Sequence, residues 1–148
     1  MKFYIASRLE NAETVRRVAA VLIAAGHKQT YDWTTHGSVQ REGEKRITEV
    51  AQDETEGVKA ADLVIVLLPG GRGTHVELGI AIGFNKSILL CAANKDLFMQ
   101  DERTCAFYHH PITECVLGPM DYWLTRALQI GNAFDYARLE GKYTTMKG

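Results

Sequence analysis

Cysteine is scarce in this chain, and charge of one sign is missing. Cys91, Cys105 and Cys115 are three in 148 residues, an odd number with no C-x-x-C spacing. That excludes a disulfide framework and a paired-cysteine zinc or redox motif. The chain reads as reduced and cytoplasmic. Cys91 closes an apolar run and reads as a core thiol. Cys105 and Cys115 flank two adjacent histidines, His109 and His110, but neighbours on a strand project to opposite sides. No metal is expected. Seventeen basic residues against eighteen acidic ones leave a formal net charge of −1, and no basic run tracks a phosphate backbone. A nucleic-acid partner is therefore not expected. The N-terminal "MKFYIASRLENAE" is too short and too soon interrupted by charge to read as a signal peptide or a spanning helix. A membrane partner is set aside with it. Internal repeats, low-complexity tracts and linkers are also lacking, so residues 1–148 read as a single domain.

What is present is an alternation of apolar strands and helices. "KFYIAS" is a buried strand feeding a loop, and "NAETVRRVAAVLIAAG" places Val15, Val18, Ala19, Leu22 and Ile23 at helical spacing. "HKQTYDW" is a weaker strand, followed by the polar stretch "TTHGSVQREGE". "KRITEVAQDETEGVKAA" is a more polar helix. "DLVIVLLP" and "KSILLCA" are continuous apolar strands, with a helix opening at "GTHVELGIAIGFN" between them. "ITECVL" is a candidate fifth strand, and "PMDYWLTRALQIGNAFDYARLEG" a long C-terminal helix. The pattern predicts a three-layer, doubly wound parallel sheet of about five strands, flavodoxin-like or Rossmann-like. Ligands of such sheets bind beyond the carboxyl ends of the strands. That rim gathers Ala6-Ser7-Arg8, Asp32-Trp33-Thr34 and Pro69 to Thr74. The stretch from Asn94 to Glu114 has no legible pattern.

The loop "LLPGGRGTHVELG", Leu67 to Gly79, carries the chemistry. Its glycines let backbone approach a ligand, and the helix start near Gly73 and Thr74 offers free N–H groups to an anionic or hydroxyl-rich molecule. No G-K-[ST] follows, and the dinucleotide glycine spacing after the first strand is absent. A P-loop nucleotidase and a nicotinamide dehydrogenase are both disfavoured. Glu77 has two readings. Thr74-x-x-Glu77 has the spacing of a capping box, in which Glu77 reaches back to the Thr74 N–H. The same carboxylate, over the rim of the sheet, is also suited to attack an acetal or N-glycosidic carbon.

"FYIAS", "QDETEGVKAADLVIVLL" and "GTHVELGIAIGFNKSILL" resemble the nucleoside 2-deoxyribosyltransferase family. The resemblance runs from Lys2 to Cys91 and is weak between Trp33 and Gln52. It implies Glu77 as the nucleophile, Tyr4 as the tyrosine that positions it, and Asp53 as an aspartate lining the site. Where the family carries an aspartate that handles the base, this chain has Gly71. "LPGGRGTHVE" is instead similar to the glycine signature of the lysine-decarboxylase-like phosphoribohydrolases. Both likenesses imply cleavage between a sugar C1′ and a base nitrogen, and neither implies a cofactor.

Other rim residues keep two readings each. Asp32 and Trp33 can hold a base by hydrogen bond and stacking, or form an Asx-type turn. Ser7, Arg8 and Arg72 are candidates for a 5′-phosphate, or solvated surface groups. His75 is either a neighbour of the site or a proton donor to the leaving base. Asp62, at the amino end of its strand, reads as structural. The stripe Tyr122, Trp123, Phe134 and Tyr136 reads as core or subunit contact, which points to a homo-oligomer. The expected activity is hydrolysis or transfer at the N-glycosidic bond of a nucleoside or its 5′-monophosphate, with Gly71 favouring hydrolysis. The alternative is a non-catalytic nucleotide-binding or sensing module.

Overall fold

The computed structural model describes residues 1–146, with side chains as far as Lys142. Five strands form one parallel sheet: β1 (Lys2–Ala6), β2 (Lys28–Gln29), β3 (Leu63–Leu67), β4 (Ser87–Ala92) and β5 (Thr113–Leu117). Their spatial order is β2-β1-β3-β4-β5, the doubly wound arrangement with the switch between β1 and β3. Four helices connect and cover them: α1 (Ala12–Ala24), α2 (Glu44–Ala60), α3 (Arg72–Gly83) and α4 (Met120–Met146). Helix α1 packs with α4, and α2 with α3.

The central strands are apolar because both of their faces are covered. Every residue of β3 is buried, as are Phe3 to Ala6 of β1 and Ile88 to Ala92 of β4. Each fully buried leucine or isoleucine here contributes roughly 1.5–3 kcal/mol of apolar transfer. Register pairs Tyr4 with Val64 and Ala6 with Val66, so β1 and β3 end side by side. Ser7 Oγ clips those ends by donating to the Leu67 carbonyl at 2.8 Å. Asn11 Nδ2 then donates to Ser7 Oγ at 2.9 Å and to the Pro69 carbonyl at 3.1 Å. These bonds tie the first and third rim loops together.

Two expectations change here. The second strand shrinks to two residues, because only Lys28 and Gln29 pair with β1 before the chain turns away. The helix expected to open at Gly73 or Thr74 opens at Arg72, with Gly71 as its N-cap. Asp62 is structural as read: its carboxylate accepts from Lys2 N at 2.7 Å and from Arg138 Nη2 at 3.0 Å. Of the aromatic stripe, Trp123 and Phe134 pack against the core while Tyr122 and Tyr136 are exposed. Cys91 is a buried thiol, Cys105 is half-buried and Cys115 is exposed. No helix among the described residues is long and apolar enough to cross a membrane.

Candidate active site

A cavity of about 520 Å³ opens beyond the carboxyl ends of β1 and β3. Ser7 and Arg8 line it from the first loop, and Trp33 and His36 to Gln40 from the second. Gly71 to Thr74 and Glu77 enter from the start of α3. The fourth wall is α2, through Ile47, Val50, Ala51 and Glu54. That spacing is one helical face, three and four residues apart.

Glu77 sits at the floor and is buried, with 6% of its surface exposed. The Tyr4 phenol, pointing from β1 toward α2 and α3, donates a short hydrogen bond to Glu77 Oε1. Burial pushes the Glu77 carboxyl up to about 8. The Tyr4 bond works against that rise and the nearby Glu54 charge adds to it. Tyr4 is itself driven far above the usual phenol range, first by burial and then by the Glu77 charge, so it stays a donor. Glu54 is raised by burial, with the His36 imidazole acting in the other direction. Two carboxyl groups thus share one desolvated space. The ring of Tyr4 is pressed by α2: a Cβ at Gly57 would lie 2.8 Å from Tyr31 Cβ and 3.0 Å from Tyr4 Cε2. Only glycine lets the helix come that close.

The opposite wall carries two arginines and one acid. Arg8 and Arg72 flank the helix start, and Arg8 Nε, buried and without a hydrogen bond, is ion-paired with Glu10 Oε2 at 4.0 Å. At that start Thr74 Oγ1 accepts from the Gly71 N–H at 3.0 Å. Thr74 is therefore the third residue of α3 and not its cap. Glu77 lies a turn too deep to close a capping box on Thr74, and its Oε1 is bonded to Tyr4 instead. The N–H groups of the first turn have no partner within the helix and face the side on which the cavity lies.

The structure brings Tyr4, Ser7, Arg8, Trp33, Gly71, Gly73, Thr74 and Glu77 to one place, at the cavity or, for Tyr4, against its floor. Asp53 and Asp32 are not among them. Asp53 is exposed on α2, one position off the face that carries Ile47, Val50, Ala51 and Glu54. A one-residue step on a helix turns a side chain by about 100°, and Glu54 stands where Asp53 was expected. Asp32 forms an Asx turn, its Oδ1 accepting from Thr34 N at 3.0 Å and from Thr34 Oγ1 at 2.6 Å. Trp33 lines the cavity with its indole N–H already given to the Ile5 carbonyl at 2.8 Å. Only its ring is left for a ligand. His75 faces away, with Nδ1 at 2.6 Å from the Gly71 carbonyl and Nε2 at 2.7 Å from the Tyr108 hydroxyl. The wall from His36 to Gln40 has only polar composition to mark it in the sequence; Gly37, at φ +62°, is the signal of a tight turn there.

The family model for nucleoside 2-deoxyribosyltransferase matches residues 3–117. The chain belongs to the nucleoside 2-deoxyribosyltransferase family. The match extends past Cys91 through β5, beyond the segments in which the resemblance is legible, and contains every residue that lines the cavity. Among solved structures, the CMP N-glycosidase BcmB of Clostridium botulinum has the same fold. The TM-score is 0.62 at 17% identity, over 88% of this chain and 99% of that one. The 2-deoxyribosyltransferase of the psychrotolerant bacterium Bacillus psychrosaccharolyticus aligns with a TM-score of 0.50 at 24% identity, over 62% of this chain and 72% of that one. A search of curated proteins returned no significant match. Membership in this family indicates chemistry at the N-glycosidic bond of nucleosides.

Proposed function

We propose that this family member cleaves the N-glycosidic bond of a nucleoside 5′-monophosphate, with Glu77 as the nucleophile and water as the final acceptor. The observation that carries the reading is the Tyr4–Glu77 hydrogen bond at the floor of a cavity that also holds Glu54. Tyr4 occupies Oε1, so Oε2 is the oxygen free to attack. As Oε2 bonds to C1′, the C1′–N bond breaks and its electron pair leaves with the base. A proton held by Glu54 passes to the departing nitrogen. Glu54, now ionised, takes a proton from water, whose oxygen bonds to C1′ while the ester to Glu77 breaks. The sugar leaves and the carboxyl pair is restored.

Burial opposes ionisation of both carboxyls, and the Glu54 charge raises Glu77 further, so the pair resists losing its last proton. Its productive arrangement has Glu77 ionised and Glu54 protonated. Arg8, Arg72 and the first-turn N–H groups of α3 supply charge and donors for the 5′-phosphate.

The test is incubation with a panel of nucleosides and 5′-monophosphates, reading free base by chromatography, with and without an acceptor base. The expected result is base release from a monophosphate that E77Q reduces by at least about 100-fold. Tight binding of a monophosphate with no base released would replace this reading by that of a nucleotide-sensing module. Full activity in E77Q would remove Glu77 as the nucleophile.

A further inference from the structure

The stretch between β4 and β5 is long, irregular and outside the cavity, yet one of its side chains touches His75, which is bonded to the cavity-lining Gly71. Tyr108 is buried, its ring stacked on His75 with centroids 5.7 Å apart and flanked by Phe98 at the same distance. Its carbonyl lies against Thr113 at the start of β5, whose one hydroxyl proton is shared between the His110 carbonyl at 2.7 Å and the Tyr108 carbonyl at 3.0 Å. The Tyr108 hydroxyl lies 2.7 Å from His75 Nε2, and His75 Nδ1 lies 2.6 Å from the Gly71 carbonyl. A carbonyl only accepts, so Nδ1 carries the proton and donates to Gly71. In the tautomer with its proton on Nδ1 alone, Nε2 accepts the Tyr108 O–H, and the chain runs one way, from Tyr108 to His75 to Gly71.

We infer that Tyr108, acting through His75, is a positioning residue that sets the orientation of the glycine loop and with it the affinity of the cavity for the anionic end of its ligand. Gly71 is where the effect lands. Its carbonyl also accepts the His75 backbone N–H at 3.3 Å, so two donors hold it toward the body of α3. A peptide unit is planar and trans, which puts the following N–H on the opposite side from the carbonyl. Fixing the Gly71 carbonyl therefore aims the Arg72 N–H out of the helix start, at the end that lines the cavity. Glycine has no side chain to hold its own peptide plane, and Gly70 and Gly73 beside it have none either. The brace supplies from outside what the loop lacks. Neither Tyr108 nor His75 lines the cavity, so their effect on a ligand is indirect.

The kinetic part rests on the glycosidase reading above; the conformational part does not. The test compares Y108F, H75A and H75N with the parent by hydrogen exchange of the amides at 70–74 and by steady-state kinetics on a nucleoside 5′-monophosphate. Y108F keeps the ring and removes only the hydroxyl, so the fold is retained. The expected result is several-fold faster exchange at 70–74 and a KM raised about 2- to 10-fold, with kcat within twofold, the loss of one hydrogen bond. H75A raises KM further. H75N, whose amide takes the place of Nδ1 and still donates to Gly71, returns to the level of Y108F. Unchanged exchange and unchanged KM in Y108F would overturn the inference. So would a lowered Tm and kcat at constant KM, the signature of a merely structural contact. If no nucleotide is cleaved at all, the glycosidase reading fails, and the exchange rates alone decide on the brace.

Discussion

Tyr4 and Glu77 are 73 residues apart in sequence, yet the phenol of one is hydrogen-bonded to the carboxyl of the other. The bond joins the middle of β1 to the second turn of α3, and nothing else in the described residues donates to that carboxyl. Removing it in Y4F leaves Glu77 buried with no donor. Since the Tyr4 bond lowers the Glu77 pKa, its loss moves ionisation to still higher pH. A hydrogen bond to a charged group is worth roughly 1.5–3 kcal/mol, or about 10- to 100-fold. Base release by Y4F at pH 7 is expected to fall by that factor, with the alkaline limb of its pH profile moved to higher pH. An alkaline limb that stayed at the parent's position would show that Tyr4 acts otherwise.

The carboxyl pair has its own pH signature. Once both Glu77, raised to about 8, and Glu54, raised by burial, are ionised, the leaving base finds no proton. At the acid end both are protonated, and the nucleophile is lost. The kcat/KM profile is therefore bell-shaped, its two limbs belonging to the pair and both displaced above the ordinary carboxylate range. E54Q removes one member of the pair. Its profile should lose the alkaline limb and rise monotonically through the Glu77 ionisation, at a rate lower by about 10²–10⁴-fold. An E54Q profile that stayed bell-shaped would exclude Glu54 as the acid.

Glu77 also links stability to pH. Its folded-state pKa of about 8 lies above the unfolded value of 4.5, so the folded protein binds the proton more tightly across that window. The stabilisation is complete below 4.5 and is lost as pH rises through 8. Glutamine resembles the protonated acid and does not titrate. E77Q should melt close to the parent at pH 4.5 and several degrees above it at pH 9. Parallel melting curves at both pH values would mean that the carboxyl ionises freely in the fold.

Much of this is legible in the sequence. The apolar runs at β1, β3 and β4 fixed a parallel sheet, and the sheet placed three loops on one rim. Glu77 and Tyr4 came from resemblance, because a capping-box spacing and a buried strand tyrosine have bland explanations of equal merit. Spacing is least informative where a single residue decides orientation. Asp53 and Glu54 are adjacent acids on a polar helix, and only packing shows that the face of Val50 and Ala51 turns Glu54 inward. Gly71 and Thr74 can each begin a helix, and the bond from the Gly71 N–H to Thr74 Oγ1 chose the earlier start. Asp32 was drawn into its own turn by Thr34, a competition between local and long-range partners that spacing cannot resolve. The segment around Tyr108 has no periodicity because it is built of 3-10 turns held by side chains.

Gly71 offers the most direct test of the wall that carries Arg8 and Arg72. It lies at φ −110°, a conformation open to any residue, and a Cβ there would meet only Arg8 Cβ at 3.5 Å, an ordinary contact. G71D should therefore fold, and an aspartate at an N-cap is as good as glycine or better by a few tenths of a kcal/mol. Its carboxylate would stand beside Arg8 and take up N–H donors of the first turn of α3. Both are groups assigned here to the 5′-phosphate. KM for a nucleoside 5′-monophosphate should rise about tenfold or more, while the unphosphorylated nucleoside is turned over with little change. The comparison of the two substrates separates charge from shape. If both lose activity equally, the wall does not hold a phosphate, and Arg8 and Arg72 return to being solvated surface groups.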